Sequence, residues 1–282
     1  MSEKLKNLLV RTASAIVLGV VMLGAIIWSQ WTYGMLLALL TASGILEFYT
    51  LAEKQKYVPQ RFLGIMAGLL LLVLNFAFVS EDISISGEFR LLFEAGLALL
   101  LLLAFGMFIY ELWRRHESPV ANIAVTIMGV FYVAVPISLL CYFPILITES
   151  WNSWIIVGYL FIIWANDVFA YLVGMTCGRH RLFERLSPKK SWEGFFGGLV
   201  GAVAFGVIAG HLLGGSLWAW GGLALITAVT GVLGDLVESM FKRAADVKDS
   251  GELIPGHGGV LDRFDAVLLS APFAFVYMYF VM

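Results

Sequence analysis

The sequence predicts an all-α integral membrane protein with about nine transmembrane helices and a cytoplasmic N-terminus. Hydrophobic residues make up 60% of the 282-residue chain and the mean hydropathy is +0.89. Charged residues are only 13%, about half the usual share in soluble domains. The apolar residues fall into long blocks, and roughly 20 such residues cross a hydrocarbon layer of ~30 Å. Because these runs are continuous rather than alternating, they exclude a transmembrane β-barrel.

Nine apolar blocks define the predicted spans, taken in chain order. They cover residues 10–28, 32–51, 62–79, 93–112, 120–146, 154–173, 194–213, 217–237 and 266–282. The fifth block is long and contains Pro136 and Pro144, and proline is a common cause of helix kinks. We therefore expect a kink in this span.

The positively charged residues predict the orientation of the chain. With the N-terminus inside, 17 of the 18 Lys and Arg residues fall on the cytoplasmic side, and only Arg90 falls outside. This separation follows the positive-inside rule. It places the two polar loops, 174–193 and 238–265, in the cytoplasm. We predict a scaffold of five spans over residues 1–153 and a catalytic membrane region over residues 154–282.

Asp167 lies inside the sixth predicted span, about seven residues from its cytoplasmic end, or ~10 Å deep at the helical rise. A carboxylate at the centre of a membrane helix costs roughly 2.5–3.5 kcal/mol on insertion scales. Two interpretations remain open. The favoured one is a carboxylate that faces a functional cavity, and the other is a hydrogen bond to a neighbouring helix through Asn166.

The loop before the seventh span contains the second group of polar residues. Ser187 followed by Pro188 is typical of a helix start, with Ser as N-cap and Pro at the first helical position. Lys189 and Lys190 lie beside it, and a helix N-terminus with lysines can hold phosphate. The alternative is an ordinary cytoplasmic loop in which Trp192 anchors the chain at the membrane interface.

The third polar region joins the last two spans and is dense in charge. Between Glu238 and Asp265, 28 positions hold 10 of the chain's 38 charged residues. On a helix, Asp235, Lys242 and either Glu238 or Ser239 share one face, and Asp262 and Asp265 share another. Glycines surround His257 and permit close approach of the backbone to a ligand. The alternative is a solvated loop held by internal salt bridges.

Carboxylates together with lysine, arginine and glycine predict phosphate chemistry. Oxygen ligands without sulfur or clustered histidine suit Mg²⁺, which usually carries phosphate as a further ligand. Basic side chains neutralise the remaining phosphate charge. The chain has no G-x-x-x-x-G-K-[ST] loop, which excludes a P-loop ATPase. The residues therefore predict a phosphoryl or nucleotidyl transfer site at the inner membrane surface.

The stretch from Ser239 to Asp265 resembles the signature of the CDP-diacylglycerol synthases, or phosphatidate cytidylyltransferases. The matching positions are Ser239, Phe241, Lys242, Arg243, Lys248, Asp249, Gly251, His257, Gly258, Gly259, Asp262, Arg263, Phe264 and Asp265. Three further elements are similar to that family: Trp164 to Asp167, Ser187 to Gly194, and Gly234 to Ser239. The resemblance covers residues 154–282 in detail, whereas the first 150 residues are similar only as hydrophobic spans.

The resemblance implies that CTP and phosphatidic acid react to give CDP-diacylglycerol and pyrophosphate. It implies that one or two Mg²⁺ ions are held by Asp167, Asp235, Asp249, Asp262 and Asp265. A monovalent ion at one of these sites is a further expectation. The resemblance also implies substrate contacts for Ser187, Lys190, Ser239, Lys242, Arg243, Gly258, Gly259 and Arg263. It implies catalytic roles for Lys248, Asp249 and His257.

Two other functions remain as alternatives. A CTP-dependent lipid-alcohol kinase would share the spans and the nucleotide, but it would release CDP instead of pyrophosphate. An ion-coupled transporter would use Asp167 as its coupling site, yet the outer halves of spans six to nine hold no Asp, Glu, Lys or Arg. We expect the protein to lie in the bacterial inner membrane, in contact with the lipids of the bilayer. A homodimer is also expected, and no nucleic-acid partner is predicted.

Overall fold

The computed structural model describes residues 3–80, 89–148, 150–251 and 258–282, with side chains from Ile16 onward. Nine helical segments run through these residues. They are α1 (Glu3–Trp28), α2 (Gln30–Lys54), α3 (Arg61–Val79), α4 (Phe89–Arg114), α5 (Pro119–Leu146), α6 (Ser153–Cys177), α7 (Trp192–Leu212), α8 (Leu217–Ala244) and α9 (Leu261–Val281). Each predicted span corresponds to one of them, and most helices extend a turn or more beyond it.

Eight of these helices, α2 to α9, are long and apolar enough to cross a membrane, and the described part of α1 adds the apolar stretch Ile16–Trp28. Many large apolar side chains remain exposed on the helix surfaces, most clearly on α4, where only Met107 and Glu111 are buried. Such a surface suits lipid rather than water. The prediction of an all-α polytopic membrane protein is confirmed, while the side of the N-terminus stays a prediction.

Local sequence determines where several helices begin. The Ser29 hydroxyl accepts a hydrogen bond from the Thr32 amide, and the Thr32 hydroxyl accepts one from the Ser29 amide, so that a capping box starts α2. Asn152 caps α6 in the same way, by accepting from the Trp154 amide at 3.1 Å. These caps satisfy amides that a helix start leaves without partners.

The fifth span departs from regular α-helix twice. A π-helical turn covers Val130–Ala134 and a 3-10 turn covers Leu140–Tyr142. The segments between them are α-helical: Pro119–Gly129, Val135–Leu139 and Phe143–Leu146. Pro136 follows the π turn and Pro144 follows the 3-10 turn, as expected because proline cannot donate the backbone hydrogen bond of a regular helix.

By packing, the chain forms two units. The first unit contains residues 1–142 and 244–263. Its core includes Tyr33 and Tyr49 of α2, whose hydroxyls donate to the carbonyls of Leu140 and Thr126 at 3.0 and 2.7 Å. The described ends of the connector between α8 and α9 thus belong to the same unit as the N-terminal helices. The predicted functional division at residue 153 stays a prediction.

The second unit contains residues 143–243 and 264–282. Its helices α6 and α7 lie in close contact, and α7 also packs on α8. A Cβ atom at Gly206 would lie 2.6 Å from Ala224 Cβ, and one at Gly210 would lie 2.9 Å from Trp220 Cβ. Small residues at four-residue spacing, such as Gly206 and Gly210, allow this close packing of helices in a membrane.

The structure adds one feature that an all-α prediction lacks. Residues Arg181–Phe183 (β1) and Ser187–Ser191 (β2) form a small antiparallel sheet, with Arg181 opposite Ser191 and Phe183 opposite Ser187. The predicted helix start at Ser187 and Pro188 is therefore wrong. Helix α7 begins at Trp192, and its N-cap is Ser191, whose hydroxyl accepts from the Gly194 amide at 3.1 Å.

Candidate active site

Three carboxylates of the second unit converge where α8 and α9 approach each other. Asp235 and Glu238 lie three residues apart on α8, and Asp265 lies in the second turn of α9. One oxygen from each lies within 4.8 Å of the others. We call these three residues the carboxylate cluster. Of the five predicted metal ligands, the structure brings Asp235 and Asp265 into it.

Gly234 permits the close approach of the two helices at this point. A Cβ atom at residue 234 would overlap the backbone carbonyl oxygen of Asp265, and it would also lie 3.1 Å from Leu269 Cβ. Backbone atoms cannot rotate away as a side chain can. A glycine directly before Asp235 is therefore needed for the carboxylates of Asp235 and Asp265 to meet.

Two lysines supply opposite charge to the cluster. Lys190, in β2, forms an ion pair with Asp235. Lys242, one turn along α8, forms an ion pair with Glu238 at 2.6 Å, and the Glu238 side chain is 1% exposed. The Ser239 hydroxyl lies 3.4 Å from an Asp235 oxygen. A buried carboxylate needs such partners to stay ionised, and these lysines are two of the predicted phosphate contacts.

Asp167 belongs to the same electrostatic group. It interacts with Lys190 and Asp235, and Asp265 interacts with all three. Its neighbour Asn166 is buried, whereas Asp167 itself is exposed although it lies inside the span α6. Asn166 also forms a side-chain hydrogen bond with Asp167, so both interpretations of this carboxylate stay predictions.

The loop between α6 and α7 is fixed by Glu193, in the first turn of α7. Its carboxylate accepts hydrogen bonds from the amides of Arg179 and His180, and it lies 2.6 Å from His180 Nδ1. The small sheet that follows holds Ser187 and Lys190, both half-buried. The second polar region is thus an ordered hairpin that presents Lys190 to Asp235.

In the first unit, Asp262 forms hydrogen bonds with residues on both sides of the undescribed part of the predicted signature. Its Oδ2 atom accepts hydrogen bonds from the Ser250 amide, the Ser250 hydroxyl and the Gly259 amide at 2.8, 2.9 and 2.8 Å. Gly258 has a φ angle of +83°, and a Cβ atom there would lie 2.6 Å from the same oxygen. A glycine is therefore required at residue 258 on both conformational and steric grounds.

The remaining predicted residues are placed as follows. Arg243, Lys248, Asp249 and Arg263 are exposed, as groups that meet a dissolved nucleotide must be. His257 lies outside the described residues. The metal roles predicted for Asp249 and Asp262 stay predictions, and the three hydrogen bonds at Asp262 Oδ2 add a structural role.

Glu238 is the cluster member to which the sequence analysis gave no metal role. Its three-residue spacing from Asp235 was the available signal. The oxygen-only ligand set of the cluster fits a hard divalent cation such as Mg²⁺, because three carboxylates this close repel one another without a cation between them.

The fold and the cluster together define a polytopic membrane protein with a group of carboxylates among its helices that could hold a metal ion. A sequence model of the cytidylyltransferase family matches residues 9–281, so the chain belongs to that family. The phosphatidate cytidylyltransferase of Rickettsia bellii is 35% identical over 186 residues, which cover 63% of this chain and 77% of the relative.

Two further relatives have the same name and match over less than half of their length. The protein of Haemophilus influenzae is 43% identical over 139 residues, which cover 47% of this chain and 48% of the relative. The protein of Synechocystis is 46% identical over 118 residues, which cover 41% of this chain and 40% of the relative.

Proposed function

We propose that the chain transfers the cytidylyl group of CTP to phosphatidic acid, giving CDP-diacylglycerol and pyrophosphate, with Mg²⁺ as cofactor. The observation that carries this proposal is the carboxylate cluster with its two lysines, in a family of cytidylyltransferases. The names of the relatives supply the lipid substrate. Phospholipid biosynthesis consumes such a product.

The reaction must bring two anions together. An oxygen of the lipid phosphate attacks the α-phosphorus of CTP, the bond from that phosphorus to the oxygen of the β-phosphate breaks, and pyrophosphate leaves with the electron pair. A phosphate monoester is already largely ionised near neutral pH, so the attack needs no strong general base. The main requirement is to neutralise charge and hold both phosphates in line.

We assign the divalent ion to Asp235, Glu238 and Asp265. When bound, it would neutralise the triphosphate and draw electron density from the phosphorus under attack. Asp167 adds negative charge that strengthens cation binding. In this proposal Lys190 exchanges its pairing with Asp235 for a phosphate oxygen, because an ammonium group binds phosphate as a point charge. A second metal held by Asp249 and Asp262, and a monovalent ion, belong to the same proposal.

The remaining contacts follow from charge and flexibility. We assign phosphate binding to basic, serine and glycine residues of β2, of the end of α8, of the connector that follows it and of the start of α9: Ser187, Ser239, Lys242, Arg243, Lys248, Gly258, Gly259 and Arg263. In this proposal His257 adjusts protonation or contacts phosphate, next to the glycines that shape the nucleotide loop. Lys248 and Asp249 complete the catalytic group.

The proposed enzyme lies in the bacterial inner membrane with its N-terminus and both polar loops in the cytoplasm, where CTP is available. A homodimer is proposed as its assembly. The molar mass of the protein in detergent, measured by light scattering with the detergent contribution subtracted, tests the dimer.

Purified protein in detergent tests the activity. With CTP, phosphatidic acid and Mg²⁺, we expect one pyrophosphate for each CDP-lipid formed, and no product when either substrate or the divalent ion is left out. Release of CDP would indicate a kinase instead. Uptake of a labelled substrate into proteoliposomes without CTP would indicate a transporter.

A further inference from the structure

Glu47 is a buried carboxylate in the C-terminal half of α2, far in sequence from the residues of the candidate active site. It is 9% exposed and lies in the apolar stretch Gly44–Leu51. A glutamate inside a transmembrane span is costly unless it has partners, and such residues mark functional positions. Among the described residues, its hydrogen-bond partners are Ser250 in the connector between α8 and α9 and Val260 and Leu261 at the start of α9, all within the first unit.

Three hydrogen bonds join Glu47 to both ends of this connector. Oε1 accepts from the Val260 amide at 2.8 Å, and Oε2 accepts from the Leu261 amide at 2.9 Å and lies 3.2 Å from the Ser250 hydroxyl. Val260 and Leu261 stand at the start of α9, where amides lack helical partners and negative charge is favoured. One side chain thus holds together positions that are ten residues apart.

Two glycines of the connector face the same carboxylate. A Cβ atom at Gly251 would lie 2.7 Å from Glu47 Oε1, and one at Gly259 would overlap Glu47 Oε2 and the Ser250 hydroxyl. Glu47 cannot move away easily, because its oxygens are already engaged. The small residues at these two positions therefore leave room for Glu47.

Glu47 and Asp262 share the Ser250 hydroxyl, which lies 2.9 Å from Asp262 Oδ2. The carboxylates thus form one network around the base of the segment that carries Lys248 and Asp249 on one side and Gly258 and Gly259 on the other. If an NH2 group replaced one oxygen of Glu47, the backbone amide facing that oxygen would lose its acceptor at a buried position.

We propose that Glu47 is a positioning residue for nucleotide binding. It holds the two described ends of the connector together, so that Lys248 at one end and Gly258 and Gly259 at the other are positioned for the triphosphate of CTP. The inference rests on the proposed function in naming the nucleotide, whereas the contact between Glu47 and the connector does not depend on it.

The substitution Glu47→Gln tests this role with little change in shape. Glutamine has one acceptor oxygen and an amino group, so at least one of the three donors would face another donor. We expect faster hydrogen exchange at the amides of Val260 and Leu261, about tenfold weaker CTP binding by calorimetry, and a raised KM for CTP with kcat changed much less.

Glu111→Gln is a matched control in the same unit. Glu111 is also buried and accepts from three donors, Gln60 Nε2, Arg114 Nη1 and Asn122 Nδ2, at 2.7, 2.9 and 3.0 Å. None of these donors lies in the connector. We expect this variant to lose thermal stability while its CTP affinity and the exchange at residues 260 and 261 stay at the wild-type level.

Three results would overturn the inference: unchanged exchange at residues 260 and 261 in Glu47→Gln, faster exchange with unchanged CTP affinity, or an equal loss of CTP affinity in Glu111→Gln. Failure of the proposed function would give a result that differs from these three. In that case the wild-type protein would bind CTP without forming a CDP-lipid, and the effect of Glu47→Gln on CTP affinity would still decide the inference.

Discussion

At the scale of single residues, Asp235 and Asp265 bring negative charge together with Glu238. One oxygen from each lies within 4.8 Å of the other and of Glu238. Lys190 pairs with Asp235, and Lys242 pairs with Glu238. A bound divalent cation would complete the neutralisation, and the reaction would then depend on the charge of the aspartates.

Replacing Asp265 with Asn removes this charge and keeps the shape of the side chain. We expect turnover to fall at least about a hundredfold, with normal insertion into the membrane. Initial rates over a Mg²⁺ titration measure the effect. Asp246→Asn is the matched control, because Asp246 is exposed and its positive φ angle of 53° suits asparagine. Near-normal activity of Asp265→Asn at all Mg²⁺ concentrations would remove Asp265 from the metal site.

Asp167→Asn distinguishes the two interpretations of the carboxylate in α6. If its charge acts on the centre formed with Lys190 and Asp235, we expect a large fall in turnover or a higher Mg²⁺ requirement, with little loss of thermal stability. If Asp167 serves only as a hydrogen-bonding group between helices, asparagine replaces it and activity survives. Rate against Mg²⁺ concentration for this one variant decides between them.

Sequence could single out site residues by their type and local spacing, but not the contacts between residues that are distant in the chain. Asp235, Asp265 and Lys190 could be selected because charged groups in apolar or turn-rich surroundings stand out. Glu47 could not be connected to residues 250–261, because a separation of more than 200 positions leaves no periodic signal. In sequence, a lone glutamate in an apolar helix shows only that it needs a partner and does not identify that partner.

At the scale of secondary-structure elements, the contact of α8 with α9 depends on small residues. A Cβ atom at Gly234 would overlap the Asp265 carbonyl, whereas one at Gly231 would lie 3.5 Å from Ala266 Cβ, an ordinary van der Waals distance. The two glycines lie on the same helix and three residues apart, so they form a matched pair.

We predict that Gly234→Ala separates the helices and reduces activity strongly, with a loss of stability of about 1–3 kcal/mol typical of overpacking. Gly231→Ala is expected to retain activity and to unfold at or above the wild-type temperature, since alanine favours helix. Thermal unfolding in detergent and initial rates measure both. Equal activities of the two variants would contradict the close contact at Gly234.

Sequence predicted the helices well and the hairpin poorly. Long apolar runs mark the spans because the bilayer imposes their length. Ser187 and Pro188 had the pattern of a helix start, yet the chain continues as strand β2 and α7 is capped by Ser191. Pairing with Arg181–Phe183 decided the conformation, and such pairing is not contained in a local N-cap pattern.

At the scale of the whole molecule, orientation in the membrane is the main open prediction, and single cysteines test it. In a background without Cys141 and Cys177, cysteines replacing Pro188 and Asp246, both exposed, should react only with reagents that reach the cytoplasm. A cysteine replacing the exposed Ser150 should react only from outside. Opposite sidedness at 188 and 246 would contradict a shared cytoplasmic face for the two loops.

The position of label in the lipid product tests cytidylyl transfer most directly. The purified protein is given phosphatidic acid, Mg²⁺ and CTP that is radiolabelled at either the α- or the γ-phosphorus. The account predicts that the α-label enters the lipid and that the γ-label appears in pyrophosphate. Entry of the γ-label into the lipid, or an unlabelled lipid with both preparations, would contradict it.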